Sequence, residues 1–360
     1  MLSGGADSSI RLWDLDVSGH EETDDIADDT SPKGRLYVHE EPSVKCVGTI
    51  PRKSGHKFGV STVLWWPFDN GMFVTSSFDG TAKVWDSESF EEAYSFNLET
   101  RIYSVDMSMV GDHCLVATAA DHPLIRLLDL RTTSSTHTLT AHNGSVISVK
   151  WSPTDANILA SGGSDGTVRL WDIRRSNACV CSLDMQQVNQ TPNNTAVQYR
   201  RAHRSAVNGL IWTHDGGYLV STGNDEKLRV WSLHEPGGRN LLVNFGPLVR
   251  NRHIQTVIPS LSSDGDLKTP YLFFPSDNGE IYMYRLEDGK MMKRLNRGSH
   301  ATLPRTACIT ARNRGSLEFY SGAFDGTISA WCSHISGKKG PEESHDFEAF
   351  EDIWDNVGFR

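Results

Sequence analysis

An aspartate followed six residues later by a tryptophan recurs along this chain, as Asp7 and Trp13, Asp79 and Trp85, Asp165 and Trp171, Asp225 and Trp231, and Asp325 and Trp331. A hydroxyl stands four residues before each aspartate, at Ser3, Thr75, Ser161, Ser221 and Ser321, and a histidine precedes four of them, at His56, His142, His203 and His300. Such self-similarity means one supersecondary unit stacked on copies of itself. The unit is clearest from His142 to Arg175. There VISVKW and TVRLW alternate apolar and polar residues at the period of a half-buried strand, and Ser152-Pro-Thr-Asp155 and Ser164-Asp-Gly166 supply the turns. Two degenerate copies fill the gaps. Asp121 leads to Leu128 with Ala117 in the hydroxyl position, and Asn278 leads to Tyr284. Repeats at positions 7, 79, 121, 165, 225, 278 and 325 predict an all-β, seven-bladed β-propeller whose blades are four-stranded antiparallel sheets.

Chemistry explains why those residue types recur together. A tryptophan ring N–H only donates, an ionised aspartate only accepts, and serine and histidine do both. His142, Ser161, Asp165 and Trp171 can therefore form one buried hydrogen-bond chain, and His203, Ser221, Asp225 and Trp231 a second. Orphaning any member costs about 1–3 kcal/mol. We read both sets as architecture although serine, histidine and aspartate are the residues of a hydrolase triad, because no Gly-x-Ser-x-Gly elbow surrounds Ser161. The chain is expected to have no catalytic residue, no cofactor, no metal ligands and no small-molecule substrate.

The propeller is expected over residues 1–336. It carries an acidic loop at 18–35, a Gln- and Asn-rich loop at 185–199, and a polar and acidic tail at 337–360. Met1 falls inside what should be a blade's second strand, so the N-terminal part of the ring is expected to be missing and its closing strand unsupplied. A net charge of −10 argues against broad nucleic-acid binding. The six cysteines lack paired zinc-type spacing and read as reduced thiols, and there is no signal segment or apolar run of membrane-spanning length.

One surface feature recurs on consecutive repeats. Leu128-Asp129-Leu130-Arg131 and Trp171-Asp172-Ile173-Arg174 each place an Asp-x-Arg after a blade's third strand. In extended chain the two side chains share a face, so the pairs are expected side by side on one rim. The repeats resemble WD repeats, and the paired motifs resemble those of propeller receptors for cullin-RING ubiquitin ligases. Within that class the sequence is similar to the Cockayne syndrome group A family, through Gly71 to Asp86, Trp171 to Arg175, Leu242 to Gly246 and Ala349 to Trp354.

That resemblance implies a nuclear, non-catalytic substrate receptor in transcription-coupled nucleotide excision repair. Asp129, Arg131, Asp172 and Arg174 would face the damaged-DNA-binding adaptor, with stalled RNA polymerase II and the group B-type repair ATPase as further partners. The family's N-terminal helical segment, which inserts into the adaptor, has no counterpart in the sequence as it stands. The alternative is a WD-repeat scaffold in a histone or RNA-processing complex that binds peptides at its channel mouth and has no ligase role.

Overall fold

The computed structural model describes residues 1–15, 45–52, 54–111, 113–175, 178–186, 200–235, 237–262, 270–295, 306–313, 317–333 and 354–359. Its elements are all strands, and each sheet is a meander in chain order. Blade 1 has three strands, β1 (Leu2–Gly4), β2 (Ile10–Asp14) and β3 (Lys45–Ile50). Six four-stranded blades follow. Blade 2 is β4 (Val60–Trp65), β5 (Met72–Ser77), β6 (Thr81–Asp86) and β7 (Glu92–Asn97). Blade 3 is β8 (Ile102–Met107), β9 (Leu115–Ala120), β10 (Leu124–Asp129) and β11 (Ser134–Thr140). Blade 4 is β12 (Val146–Trp151), β13 (Ile158–Gly163), β14 (Val168–Asp172) and β15 (Cys179–Ser182). Blade 5 is β16 (Val207–Trp212), β17 (Tyr218–Gly223), β18 (Lys227–Ser232) and β19 (Arg239–Asn240). Blade 6 is β20 (Ser260–Leu261), β21 (Tyr271–Pro275), β22 (Ile281–Arg285) and β23 (Met291–Leu295). Blade 7 is β24 (Thr306–Asn313), β25 (Leu317–Ala323), β26 (Ile328–Ser333) and β27 (Trp354–Phe359). This is a WD-repeat β-propeller, with six complete blades and a seventh sheet of three strands.

The tail does not stand apart from the ring. Its residues Trp354–Phe359 pair antiparallel with β26 from Ser333↔Trp354 to Ile328↔Phe359 and form the outer strand of blade 7. An unpaired β26 edge would leave a row of open N–H and C=O groups. The acidic loop lies outside the described residues, and so does the polar loop from residue 187 on.

Burial follows the stacking of neighbours. Six apolar clusters each join two consecutive blades. Phe73 and Trp85 meet Ile10 and Ile50 between blades 1 and 2, and Val74, Val84 and Phe96 meet Ile102, Val105 and Leu128 between blades 2 and 3. A sheet buried on both sides in this way needs twist, which bulges increase. The register shifts at the same place in five first-to-second strand pairs, at Val60/Thr62, Ile102/Ser104, Val146/Ser148, Val207/Gly209 and Thr306/Cys308. It shifts again just before the tryptophan position on third strands, at Leu12/Trp13, Val84/Trp85, Leu127/Leu128, Leu170/Trp171 and Met283/Tyr284.

In six of the blades the turn from second to third strand places a left-handed residue straight after its aspartate or asparagine. Glycine takes that place at Gly80, Gly166, Gly279 and Gly326 (φ 77° to 85°), and Ser8 (φ 65°) and Glu226 (φ 57°) adopt it without glycine's freedom. A hydrogen bond among the described residues leaves the nearest-neighbour pattern. The Thr256 hydroxyl, just before β20, donates to the Tyr103 carbonyl of β8 at 3.1 Å and so joins blade 6 to blade 3.

Candidate functional site

The recurring polar residues come together blade by blade. In blade 5 the Trp231 ring N–H donates to Ser221 Oγ (2.9 Å), Ser221 meets His203 Nε2 (2.7 Å), and His203 Nδ1 meets Asp225 Oδ1 (2.8 Å). Tryptophan can only donate and aspartate only accept, so with Nδ1 protonated Ser221 gives its proton to Nε2 and Nδ1–H donates to Asp225, while Arg229 Nη1, itself a donor, stands 2.6 Å from that same nitrogen. Arg229 Nη1 donates to Asp225 Oδ2 (3.0 Å) and completes the anion's shell. Blade 4 repeats the chain through Trp171, Ser161 and His142 (2.7 Å each), with Asp165 3.3 Å from His142. In blade 2 Thr75 takes the serine position, 2.8 Å from Trp85 Nε1 and 2.7 Å from His56 Nε2. Blades 1 and 7 keep the first link, Trp13 to Ser3 (2.8 Å) and Trp331 to Ser321 (2.9 Å), while His300 lies outside the described residues.

Electrostatics follows burial. Burial opposes ionisation of Asp165 and Asp225, but donation from the histidine side chain and from backbone N–H groups outweighs this and holds both carboxyls well below the usual range. Burial pushes His56 and His203 down, toward the neutral form that the hydrogen-bond direction requires. Ser161 with His142 and Asp165 has the distances of a hydrolase triad. Yet Ser161 is 0% exposed and its oxygen accepts from Trp171, so no substrate can reach it. Among the described residues no group of three or more His, Cys, Asp or Glu side chains is placed to hold a metal ion.

Some members of these sets do not show in the aspartate–tryptophan spacing. Thr81 and Thr167, two residues after the turn aspartate, bind it through both backbone N–H and hydroxyl and also approach the histidine Nδ1 at 2.9 and 3.0 Å. The signal was the Asp-Gly-Thr triplet. Gly163 and Gly223 are glycines for room. A Cβ on Gly223 would lie 2.2 Å from His203 Nδ1 and 2.6 Å from Asp225 Oδ1, and one on Gly163 would lie 2.6 Å from both His142 and Asp165.

The degenerate blades show what happens when the set is abandoned. In blade 3 Ala117 and Leu128 are both buried, and neither has a polar group to satisfy. Blade 6 is less complete. Tyr284 fills the tryptophan position, but Phe274 stands where the hydroxyl belongs, and the buried Tyr284 hydroxyl has no hydrogen-bond partner. Burial pushes that phenol well above its ordinary range. Beside it Asn278 donates to Glu280 (2.7 Å) and to the Tyr282 hydroxyl (2.9 Å), which in turn donates to Glu280 (2.8 Å).

The two Asp-x-Arg pairs occupy the corresponding third-to-fourth strand turns of blades 3 and 4, so blade symmetry sets them on one face. Their local geometry differs from the extended chain expected of them. Arg131 and Arg174 lie in turns, and Asp129 and Asp172 accept their backbone N–H groups at 2.9 and 3.1 Å. The pairing is therefore a turn closure, with the aspartate buried and the arginine outside. Arg174 also grips Asp172 in a fork, Nε to Oδ1 at 2.9 Å and Nη2 to Oδ2 at 3.0 Å. The Arg131 and Arg174 side chains stay 67% and 59% exposed against 10% and 5% for their aspartates. The Arg131 backbone N–H holds the Asp129 carboxyl below its ordinary range, and the Arg174 side chain does the same for Asp172.

Fold and sites together define a WD-repeat propeller, a class that in general holds other proteins rather than performing catalysis. The model of the WD domain, G-beta repeat, matches residues 44–86, 133–172 and 194–232. The chain is 28% identical to the WD repeat-containing protein ATCSA-1 of Arabidopsis thaliana, over 92% of this chain and 82% of that protein. It is 29% identical to Radiation-sensitive protein 28 of Saccharomyces cerevisiae, over 77% of this chain and 60% of the relative. It is also 28% identical to the Ribosome biogenesis protein WDR12 homolog of Trichoplax adhaerens, over 64% and 49%. The chain thus spans less than two thirds of the yeast and Trichoplax proteins. These matches correct the expectation of a place in the Cockayne syndrome group A family. Differently named proteins match at nearly the same identity, and what they have in common with this chain is the WD-repeat class, nothing narrower.

Proposed function

We propose that the chain is a non-catalytic nuclear subunit that docks through Arg131 and Arg174 on the damaged-DNA-binding adaptor of a cullin-RING ubiquitin ligase, and so presents a target in transcription-coupled nucleotide excision repair. One observation carries the reading: two exposed guanidinium groups stand on equivalent turns of consecutive blades, each turn closed by its own buried aspartate. Such arginines suit an interface anchor, because the fork is rigid and the turn is already ordered before a partner arrives. The name of the yeast relative, a radiation-sensitive protein, favours the repair setting. Stalled RNA polymerase II and the group B-type repair ATPase are the partners this reading carries.

Co-purification with the adaptor tests it. Arg131→Glu with Arg174→Glu is expected to weaken binding by at least about a hundredfold, since two anchors of about 2 kcal/mol each are lost. Circular dichroism should stay unchanged, because both turns are closed by backbone N–H donors that the substitutions keep. The WDR12 match favours a second reading, an RNA-processing scaffold. Folded wild-type protein that ignores the adaptor and retains ribosomal-precursor proteins would replace the first reading with it.

A further inference from the structure

Blade 4 contains a buried cation with no counter-ion among the described residues. Arg169 is 5% exposed, its Nε has no hydrogen-bond partner, and its Nη1 points at Cys179 Sγ, 3.7 Å away. No carboxylate among the described residues pairs with it. A charge in that setting is costly unless an anion meets it.

Equivalent positions in other blades show what belongs there. Arg169 lies on β14 four residues after the turn aspartate, as Lys83 does in blade 2 and Arg229 in blade 5. Arg229 meets Asp225, and Lys83 meets Glu92 at 2.6 Å. The outer strands of blades 2 and 4 share one register: Lys83↔Ser95 and, past the bulge, Trp85↔Glu92 in the first, Arg169↔Ser182 and Trp171↔Cys179 in the second. Cys179 therefore occupies the place of the Glu92 carboxylate.

We infer that Cys179 is a site of oxidation by hydroperoxides, and that its sulfinate is the anion that pairs with Arg169. In the first step the sulfur attacks a peroxide oxygen, the S–O bond forms as O–O breaks, and the thiol proton leaves with the departing oxygen as water. The sulfur gives up two electrons and the peroxide accepts them. A second peroxide repeats the step, and the sulfinic acid loses its proton to solvent, leaving a charged –SO2⁻ beside the guanidinium. Half-exposed Cys179 is open to such an oxidant. Its neighbour Cys181 is a poorer candidate, because burial pushes that thiol up to about 12.

Blade 1 supplies an internal control. Cys46 pairs with Trp13 past the same bulge, so it holds the same position, but Arg11 there is exposed, and among the described residues Cys46 Sγ meets Gly48 and Thr49 oxygens at 3.5 Å and no guanidinium. The test treats the full chain with limiting hydrogen peroxide, blocks remaining thiols and counts sulfinate by peptide mass spectrometry. Cys179 should be oxidised at least about tenfold faster than Cys46, although Cys46 is more exposed, and Arg169→Met should remove that advantage. In the absence of peroxide, Cys179→Asp should melt above Cys179→Ser, because a carboxylate restores the pair seen in blade 2. Oxidation of Cys46 as fast as Cys179, or of neither, overturns the inference. So does an unchanged Cys179 rate in Arg169→Met. If that variant does not fold, the comparison of the two cysteines and the two replacements decides.

Discussion

Replacing Ser221 with alanine removes one oxygen and orphans two buried groups. Trp231 Nε1 loses its acceptor at 2.9 Å and His203 Nε2 its donor at 2.7 Å, and Trp231, His203 and Ser221 are all 0% exposed, so water cannot enter without rearrangement. At about 1–3 kcal/mol for each stranded group the cost is about 2–6 kcal/mol, a large part of the roughly 5–15 kcal/mol that holds a domain folded. Ser3→Ala in blade 1 is the matched comparison. It breaks one bond, to the half-buried Trp13, with no histidine behind it among the described residues, and should cost about 1 kcal/mol. Trp231→Phe in the Ser221→Ala background should add less than it does alone, because the indole N–H it deletes has no partner left there. Blade 3, with Ala117 and Leu128, is the natural form of that double replacement. Urea unfolding of the four variants measures these differences. A Ser221→Ala cost within about 0.5 kcal/mol of Ser3→Ala would refute the claim that the sets hold the blades through buried satisfaction.

Tyr284→Phe should leave stability unchanged or raise it by up to about 1 kcal/mol, since it deletes a buried hydroxyl with no partner; loss of more than that in urea unfolding would mean the hydroxyl is satisfied in solution. His56 and His203 have folded-state pKa values below the ordinary 6.5, so the unfolded chain binds their protons more tightly. The stability they carry is complete above about pH 6.5 and is lost as pH falls below it, with a second loss below about 3.8 as Asp79, Asp165 and Asp225 begin to protonate in the unfolded chain. Melting temperature should fall steadily from pH 6.5 to 5 and stay flat from 7 to 8, and a flat profile from 7 to 5 would show these histidines to be charged when folded.

Much of this was legible because polar satisfaction leaves regular spacings. The Asp-x5-Trp period located every third strand, including the two degenerate ones, and the serine and histidine offsets predicted contacts that fall within 2.7–3.3 Å in blades 4 and 5. What the spacing could not carry was room and local turn geometry. Gly163 and Gly223 matter for an atom they lack, and Asp129 and Asp172 close turns where alternation suggested extended chain. The outer strand Trp354–Phe359 sits far in sequence from its partner β26, beyond the reach of any local pattern. The blade 4 cation was hidden for a related reason. An arginine looks the same in sequence whether its neighbour is Glu92 or Cys179, and only the shared register places the two side by side.

The bond from Thr256 to the Tyr103 carbonyl changes how the ring can come apart. A row of blades held only by adjacent contacts could fray from either end, each blade leaving its neighbours intact. Blades 3 and 6 stand three places apart through blades 4 and 5 and four places apart through blades 7, 1 and 2, so a contact between them acts as a spoke through the hub rather than a rim joint. The segment between the two bonded residues, 104 to 255, becomes a closed loop that holds the rest of blade 3 and the whole of blades 4 and 5. Opening blade 6 loosens a carbonyl of blade 3, and backbone hydrogen exchange at the two should rise together while the outer strands of blades 4 and 5 stay quiet.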